Sequence, residues 1–231
     1  IYNSRIALTM LQLPKIVLFD MDGTLVDNYA FHLKAWQHIC ERRGKTKTLH
    51  EIATDLHGTN FEICRKFFGQ EVTIEQSERI GTEKEALYRE IYAPFIKPVN
   101  GLYDFLTALK QQSIKLALGT MGNRANAAFI LKALALEQYF TIVQTAEDVS
   151  RGKPHPDIFN NCLNLLEFKA PANPTDVWVF EDTSSGIKAA LNTGAKAMGI
   201  CTSKSAQELL ESGAHCVFKD YQEVLTKTGL T

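Results

Sequence analysis

Ile16-Val17-Leu18-Phe19-Asp20-Met21-Asp22-Gly23-Thr24-Leu25 is the stretch whose reading decides the fold. Its first four residues are apolar, too few for a helix and partly β-branched, which predicts a buried parallel strand. That strand ends on one carboxylate, with a second two residues on and a Gly-Thr turn behind it. In open α/β sheets ligands sit just beyond the carboxyl ends of the strands, so two acids there point to a metal and a reacting centre rather than to packing. An Asx turn at Asp22-Gly23 would satisfy the same residues without any chemistry. The rest of the chain has to choose between them.

Downstream, from Gly101, the pattern alternates between helix and strand. Leu102, Phe105, Leu106 and Leu109 mark a helix, and Ile114 to Gly119 is a buried strand. A helix from Ala125 to Leu134 leads to a strand at Thr141 to Gln144, and a helix from Pro156 to Leu166 to a strand at Val177 to Phe180. A helix at Gly186 to Asn192, a strand at Ala197 to Ile200, a helix at Ala206 to Glu211 and a strand at Cys216 to Phe218 complete the series. Such alternation predicts an α/β fold, a doubly wound parallel sheet with right-handed crossovers.

The first strand must join this sheet, so the segment between is an insertion. It reads as helical. Tyr29 to Arg43 places His32, Ala35, Trp36, Ile39 and Arg43 on one face before Gly44; Leu49 to Leu56 and Phe61 to Phe68 follow; Thr73-Ile74-Glu75-Gln76 is a capping box opening a helix that runs to about Tyr92. The expected organisation is a core of residues 12–27 and 97–231 and a helical domain of residues 28–96. Hinge strands around Asp27 to Tyr29 and Phe95 to Val99 would join the two.

Composition narrows the function. The 231 residues carry 25 basic and 26 acidic side chains for a net charge of −1, without long like-charge blocks, so neither nucleic acid nor an anionic membrane is an expected partner. The five cysteines are odd in number and widely spaced, which argues against a disulfide framework and against zinc. Asn3, Ser4, Arg5, Thr9 and Gln12 interrupt any signal-peptide core in Ile1 to Leu13, so a cytoplasmic, monomeric protein acting on a small ligand is expected. The chain opens on Ile1, and Met10 is one candidate natural start.

Three more strand ends carry chemistry. The strand Leu116-Ala117-Leu118-Gly119 ends on Thr120, and Met121-Gly122-Asn123-Arg124 enters a helix; a hydroxyl and backbone amides so placed suit phosphate oxygens, although Thr120 could merely cap the helix. Gly152-Lys153-Pro154-His155-Pro156-Asp157 sets a lysine in a turn stiffened by two prolines, a positioned cation unless it is an ordinary solvated charge. Val177-Trp178-Val179-Phe180-Glu181-Asp182 is a second apolar strand ending in acids, which want a cation.

Together, Asp20-x-Asp22-x-Thr24, Thr120, Lys153 and Glu181-Asp182 resemble, in order and spacing, the four motifs of the haloacid dehalogenase (HAD) superfamily of phosphoryl-transfer enzymes. The resemblance covers nearly the whole chain. It implies a Rossmann-like core with an inserted α-helical cap and a mechanism in which Asp20 is the nucleophile, forming an aspartyl phosphate. Asp22 would be general acid and then base, with its backbone carbonyl on the metal. Mg²⁺ would be held by Asp20, Asp22 and Asp182, with Glu181 beside them, and Thr120 and Lys153 would hold the equatorial phosphate oxygens.

Within the superfamily, Asp27-Asn28 with His32-Leu33-Lys34-Ala35-Trp36, and Leu56-His57-Gly58-Thr59, look like the hinge, first cap helix and substrate loop of the β-phosphoglucomutase-like group, which includes sugar-phosphate phosphatases. The resemblance makes His32, Trp36, His57, Gly58 and Lys84 candidate substrate contacts from the cap, and Met121, Gly122, Asn123 and Arg124 from the core. Plainer readings stay open: core packing for Trp36, a hinge hydrogen bond for His32 and an i,i+4 pair for Lys84. His57 and Phe61 stand where the mutases carry a lysine and an arginine, so a mutase's grip on a second phosphate is weakened and a phosphatase of small phosphorylated metabolites is expected ahead of a β-phosphoglucomutase. A phosphorylated receiver-type switch also uses acids, a Thr and a Lys at strand ends. It lacks a cap and does not carry its nucleophile on the first strand.

Overall fold

The structure is a computed structural model that describes residues 13–56, 59–168 and 173–230. His57 and Gly58 lie outside the described residues, as do the segment Ile1 to Gln12 and the start of the core at residue 12. In chain order the elements are β1 (Ile16–Phe19), α1 (Tyr29–Arg42), α2 (Leu49–Asp55), α3 (Asn60–Phe68), α4 (Ile74–Tyr92), α5 (Leu102–Gln111), β2 (Lys115–Gly119), α6 (Arg124–Ala133), β3 (Val143–Gln144) and α7 (Asp157–Leu165). There follow β4 (Val177–Glu181), α8 (Ser184–Asn192), β5 (Lys196–Ile200), α9 (Ala206–Glu211), β6 (Cys216–Phe218) and α10 (Tyr221–Thr228). The chain forms two compact units, residues up to Asp27 with Lys97 onward, and Asn28–Ile96.

The first unit is an all-parallel six-stranded sheet in the order β3-β2-β1-β4-β5-β6. The order reverses direction at β1, between β2 and β4, which is where an open α/β sheet leaves a crevice at its carboxyl edge. β1 is buried along its whole length because helices cover both sheet faces, and that is why it reads as a continuous apolar run. Ile16 and Leu18 face one way, into a cluster with Val177, Val179, Ile158, Phe159, Cys162 and Ile187. Phe19 belongs to an aromatic layer instead, stacked on Phe180 at 5.5 Å and edge-on to Phe105 at 6.2 Å. Tyr221 closes that layer against Phe105 at 5.2 Å. With both faces taken, what β1 leaves open is its carboxyl end, where Asp20 sits, beside Glu181 at the end of the neighbouring β4.

The second unit is helical. Its core gathers Leu33, Trp36, Ile39, Cys40, Ile52, Ile63, Cys64, Phe67, Ile80 and Leu87 from α1–α4. Three of these helices open on complete capping boxes, Thr48 with Glu51, Thr59 with Glu62 and Thr73 with Gln76. Each cap satisfies amide donors that would otherwise be orphaned and stabilises its helix by about 1 kcal/mol.

Several boundaries depart from expectation. The hinge segments are not strands: Tyr29 already belongs to α1, Ala93–Phe95 is a 3₁₀ turn, and the pairing shrinks to one antiparallel bridge, Val26 with Pro98. Pro98 has no N–H, so no ladder can grow from it. β3 keeps only two residues, paired to Leu118 and Gly119. α10 adds a helix after the last expected strand. All five cysteines are free, and among the described residues no helix is long and apolar enough to cross a membrane.

Candidate active site

The carboxyl edge of the sheet brings together residues from four separate stretches. Asp20 follows β1, Thr120 follows β2, Glu181 ends β4 with Asp182 next, and Lys153 arrives from the turn before α7. Lys153 Nζ donates to Asp20 Oδ1 at 2.5 Å, to Glu181 Oε1 at 2.6 Å and to the Gly119 carbonyl at 3.1 Å. It also lies 4.7 Å from the centre of the Phe159 ring, so the ammonium is fixed on every side. Asp20, Glu181 and Asp182 are all buried, and one oxygen from each lies within 4.8 Å of the others.

Glu181 is tied down at both ends. While Oε1 meets Lys153, Oε2 accepts from the Asp182 amide at 3.1 Å and the Thr183 hydroxyl at 3.2 Å. This fold-back is possible because residue 186 is glycine: a Cβ there would lie 1.8 Å from Glu181 Cδ. Asp182 is held by hydroxyls, with Thr24 Oγ1 donating to Oδ1 at 3.5 Å and the Ser203 side chain hydrogen-bonded to its carboxylate. Asp22 is placed differently. Its Oδ2 and Thr120 Oγ1 each lie 3.2 Å from where a Cβ on Gly122 would stand, so its carboxyl faces the entrance of α6 and is not one of the three clustered acids.

Three buried carboxylates crowd around one ammonium, which bonds to two of them, and the excess negative charge makes the acids hard to ionise. Burial disfavours a charged Lys153, but Asp20 and Glu181 outweigh it and hold the lysine above its ordinary range, so it stays protonated. Burial pushes Asp20 well above the usual carboxylate range; Lys153 opposes this, while Glu181, Asp182 and Asp22 add to it. Asp182 is pushed up to about 7, by burial first and then by Glu181. An oxygen-only, over-charged donor set of this kind fits a hard divalent cation such as Mg²⁺, not a soft one.

A pH dependence follows. The folded pKa of Asp182 lies above the ordinary carboxylate value, so the metal-free native state holds a proton the unfolded chain has already lost, and stability falls progressively from the ordinary carboxylate range up to about pH 7, where the loss is complete. We expect the metal-free melting temperature to fall between about pH 5 and about pH 7 in the wild type by more than in Asp182→Asn, and Mg²⁺ to raise it most at the upper pH. Scanning calorimetry of both proteins, with and without Mg²⁺, checks this. Parallel pH profiles for the two would contradict it.

The α6 entrance is more occupied than its sequence suggests. Gly122 N–H is donated to Thr120 Oγ1 at 2.9 Å, Arg124 N–H goes to Glu147 at 3.0 Å, and Asn123 spends its Oδ1 capping the Asn126 amide. The Arg124 guanidinium pairs with Asp148 at 2.7 Å, and Met121 is exposed. In the helical unit, His32, Trp36 and Lys84 come together. Lys84 Nζ is 2.7 Å from His32 Nδ1, 2.8 Å from Glu85 Oε1 and 5.7 Å from the Trp36 ring centre. An ammonium only donates, so the contact makes Nδ1 the acceptor and assigns the ring proton to Nε2. Trp36 is buried edge-on against Phe67 at 5.3 Å, and Lys84 forms its ion pair with its sequence neighbour Glu85 while its ammonium lies 5.8 Å from the ring centre of Tyr88, one helical turn on.

Sequence reasoning missed Thr183, Thr202 and Ser203, hydroxyl residues after β4 and β5. Their one available signal is that each follows an apolar strand running to the same sheet edge.

The chain matches the haloacid dehalogenase-like hydrolase family over residues 17–200. It is 31% identical over 215 residues to the phosphorylated carbohydrates phosphatase of Thermotoga maritima, covering 90% of this chain and 95% of that one. The β-phosphoglucomutase of Bacillus subtilis is 28% identical over 198 residues, 80% of this chain and 83% of that protein. The crystal structure of a HAD hydrolase of family IA, variant 3, from Entamoeba histolytica superposes with a TM-score of 0.83 at 28% identity, covering 93% of this chain and 98% of that one. With four strand-end motifs gathered on one sheet edge and the match spanning most of its length, the chain belongs to the haloacid dehalogenase-like hydrolase family, as an enzyme of its β-phosphoglucomutase-like phosphatase group.

Proposed function

We propose that this enzyme hydrolyses small phosphorylated metabolites, sugar phosphates foremost, through an aspartyl phosphate on Asp20 with Mg²⁺ bound. The observation that carries the reading is Lys153 bridging Asp20 and Glu181 within one buried carboxylate cluster. Asp20 attacks phosphorus, the ester P–O bond breaks, and Asp22 gives its proton to the departing alkoxide. Water then loses a proton to Asp22 as its oxygen attacks the same phosphorus, which frees inorganic phosphate and restores Asp20. Thr120 and Lys153 donate to the phosphoryl oxygens, where charge develops. Asp20 and Asp182 by their side chains and Asp22 by its carbonyl would hold Mg²⁺, while Glu181 anchors Lys153. The ion, when bound, neutralises the cluster and lowers repulsion between the nucleophile and the phosphate. An α/β core of residues 12–27 and 97–231 with a helical cap of residues 28–96 remains part of this proposal.

The phosphorylated-carbohydrate phosphatase supports sugar phosphates as the substrate class. Against a mutase stands the state of the cations that would grip a second phosphate: Arg124 pairs with Asp148 and Lys84 with Glu85. Phosphate release from hexose and pentose monophosphates, measured with Mg²⁺ and again with a chelator, tests the reading. Hydrolysis that needs Mg²⁺ is expected. Isomerisation of β-glucose 1-phosphate to glucose 6-phosphate, many times faster than any hydrolysis, would make the mutase correct instead.

The role of Asp22 has its own signature. Alkoxide leaving groups need a proton and nitrophenolate does not, so Asp22→Ala is expected to slow a sugar phosphate by about 10²–10⁴ and p-nitrophenyl phosphate far less. Equal losses in kcat on both substrates would assign Asp22 a structural role.

A further inference from the structure

The loop after β5, Cys201-Thr202-Ser203-Lys204, reaches the site with two hydroxyls to which the mechanism gives no work. Thr202 Oγ1 donates to the Gly23 carbonyl, and the Ser203 side chain is hydrogen-bonded to the Asp182 carboxylate. Gly23 lies at φ +77°, and a Cβ built on it would fall 1.9 Å from Asp182 Oδ2 and 2.8 Å from Ser203 Oγ. The carboxylate and the serine therefore close together on the bare Cα of the turn that carries Asp22 and Thr24.

Neither hydroxyl is needed to fold the loop. Ser205 caps α9, its hydroxyl accepting the Glu208 amide while Glu208 reaches back to the Ser205 amide at 2.9 Å. Lys204 pairs with Glu208 at 3.0 Å. The backbone is anchored by Cys201 N–H to the Phe218 carbonyl at 2.9 Å and Thr202 N–H to the Ile200 carbonyl at 3.0 Å. What the two side chains touch is the Asp22–Thr24 turn and Asp182.

We propose that Thr202 and Ser203 are positioning residues that clamp this turn and the Asp182 carboxylate in the arrangement that takes the divalent cation, an inference that rests on the metal reading above. Ser203, beside the Asp182 carboxylate over the bare Cα of Gly23, orients that carboxylate. Thr202 fixes Gly23, and through it both the Asp22 carbonyl and the Thr24 hydroxyl on Asp182. Partners of this outer kind set ligand orientation, and losing one costs about ten- to a hundredfold in metal affinity. Ser203 is exposed, so water takes part of its place and the lower end of that range applies.

Mg²⁺ titration of the metal-free full-length protein by isothermal calorimetry tests the clamp, on wild type, Asp182→Asn, Thr202→Val, Ser203→Ala and the hydroxyl-keeping Thr202→Ser and Ser203→Thr. Thr202→Val and Ser203→Ala are expected to weaken Mg²⁺ binding about tenfold with metal-free melting temperatures close to wild type, and the hydroxyl-keeping pair to bind like wild type. Wild-type binding with no weakening in Thr202→Val and Ser203→Ala overturns the clamp alone, as does equal weakening in the hydroxyl-keeping pair. No Mg²⁺ binding by wild type, or undiminished binding by Asp182→Asn, overturns the metal reading itself.

Discussion

Asp20→Asn is expected to abolish turnover, by about 10⁴-fold or more on every substrate, while leaving the protein folded and no less stable. The two residues have the same shape, so the backbone bond from the residue 20 amide to the Phe180 carbonyl and the packing of β1 are unaffected. What disappears is the nucleophile, together with one of three carboxylates crowded within 4.8 Å. Removing that charge relieves repulsion among Asp20, Glu181 and Asp182, although Lys153 loses one of its two acidic partners. The metal-free melting temperature should therefore stay level or rise. A dead but fully stable protein is the predicted pair of results, read by phosphate release and scanning calorimetry. Residual activity within about tenfold of wild type would mean that water attacks the substrate directly.

The second large effect belongs to Lys153. Its side chain is almost wholly buried, and its ammonium meets three oxygens from three different strand ends. Lys153→Met preserves length and the contact with Phe159 but strands two buried carboxylates. Breaking a buried pair from one side typically costs about 3–5 kcal/mol, because the charge left behind has neither water nor partner. Activity should suffer more than stability, with kcat/KM down about 10³-fold or more, since the same ammonium that steadies Asp20 would neutralise the phosphoryl oxygens in transit. Urea denaturation gives the first quantity and steady-state kinetics the second. Loss of stability with kcat/KM within about tenfold of wild type would reduce Lys153 to a structural counter-ion.

Legibility in the sequence tracked how strongly each element is constrained. β1 and β4 are covered on both faces, so each writes itself as an uninterrupted apolar run ending in acids, and the sheet of the core could be read from them. α10 could not: only Tyr221 and Val224 among its eight residues are buried, too few for a periodic stripe. β3 was overlong in expectation because Thr141-Ile142 looks like strand, while only Val143 and Gln144 find partners on β2. In α1 the expected face of His32, Ala35, Trp36, Ile39 and Arg43 gave way to Leu33, Ala35, Trp36, Ile39 and Cys40, because apolar Leu33 and Cys40 take the buried places and Arg43 lies beyond the helix as its C-cap. The capping boxes at Thr48 and Thr59, each closed by a glutamate, follow the same rule as the Thr73 box closed by Gln76, and were obscured because they open short helices of seven and nine residues. Acids at strand ends announce themselves because charge there is costly. Hydroxyls such as those of Thr202 and Ser203 carry no such cost, so only their partners in space single them out.

The central claim, a phosphoryl group passing through Asp20, is tested most directly by trapping it. Enzyme and Mg²⁺ mixed with a good sugar phosphate, quenched in acid within a turnover and reduced with borohydride, should yield homoserine at position 20, because borohydride reduces an acyl phosphate and leaves free carboxylates alone. Peptide mass spectrometry reads the outcome, with Asp20→Asn as the blank. Homoserine at residue 20, forming ahead of inorganic phosphate and fading once the substrate is used up, is the predicted result. Rapid phosphate release with residue 20 recovered only as aspartate at every quench time would contradict the account.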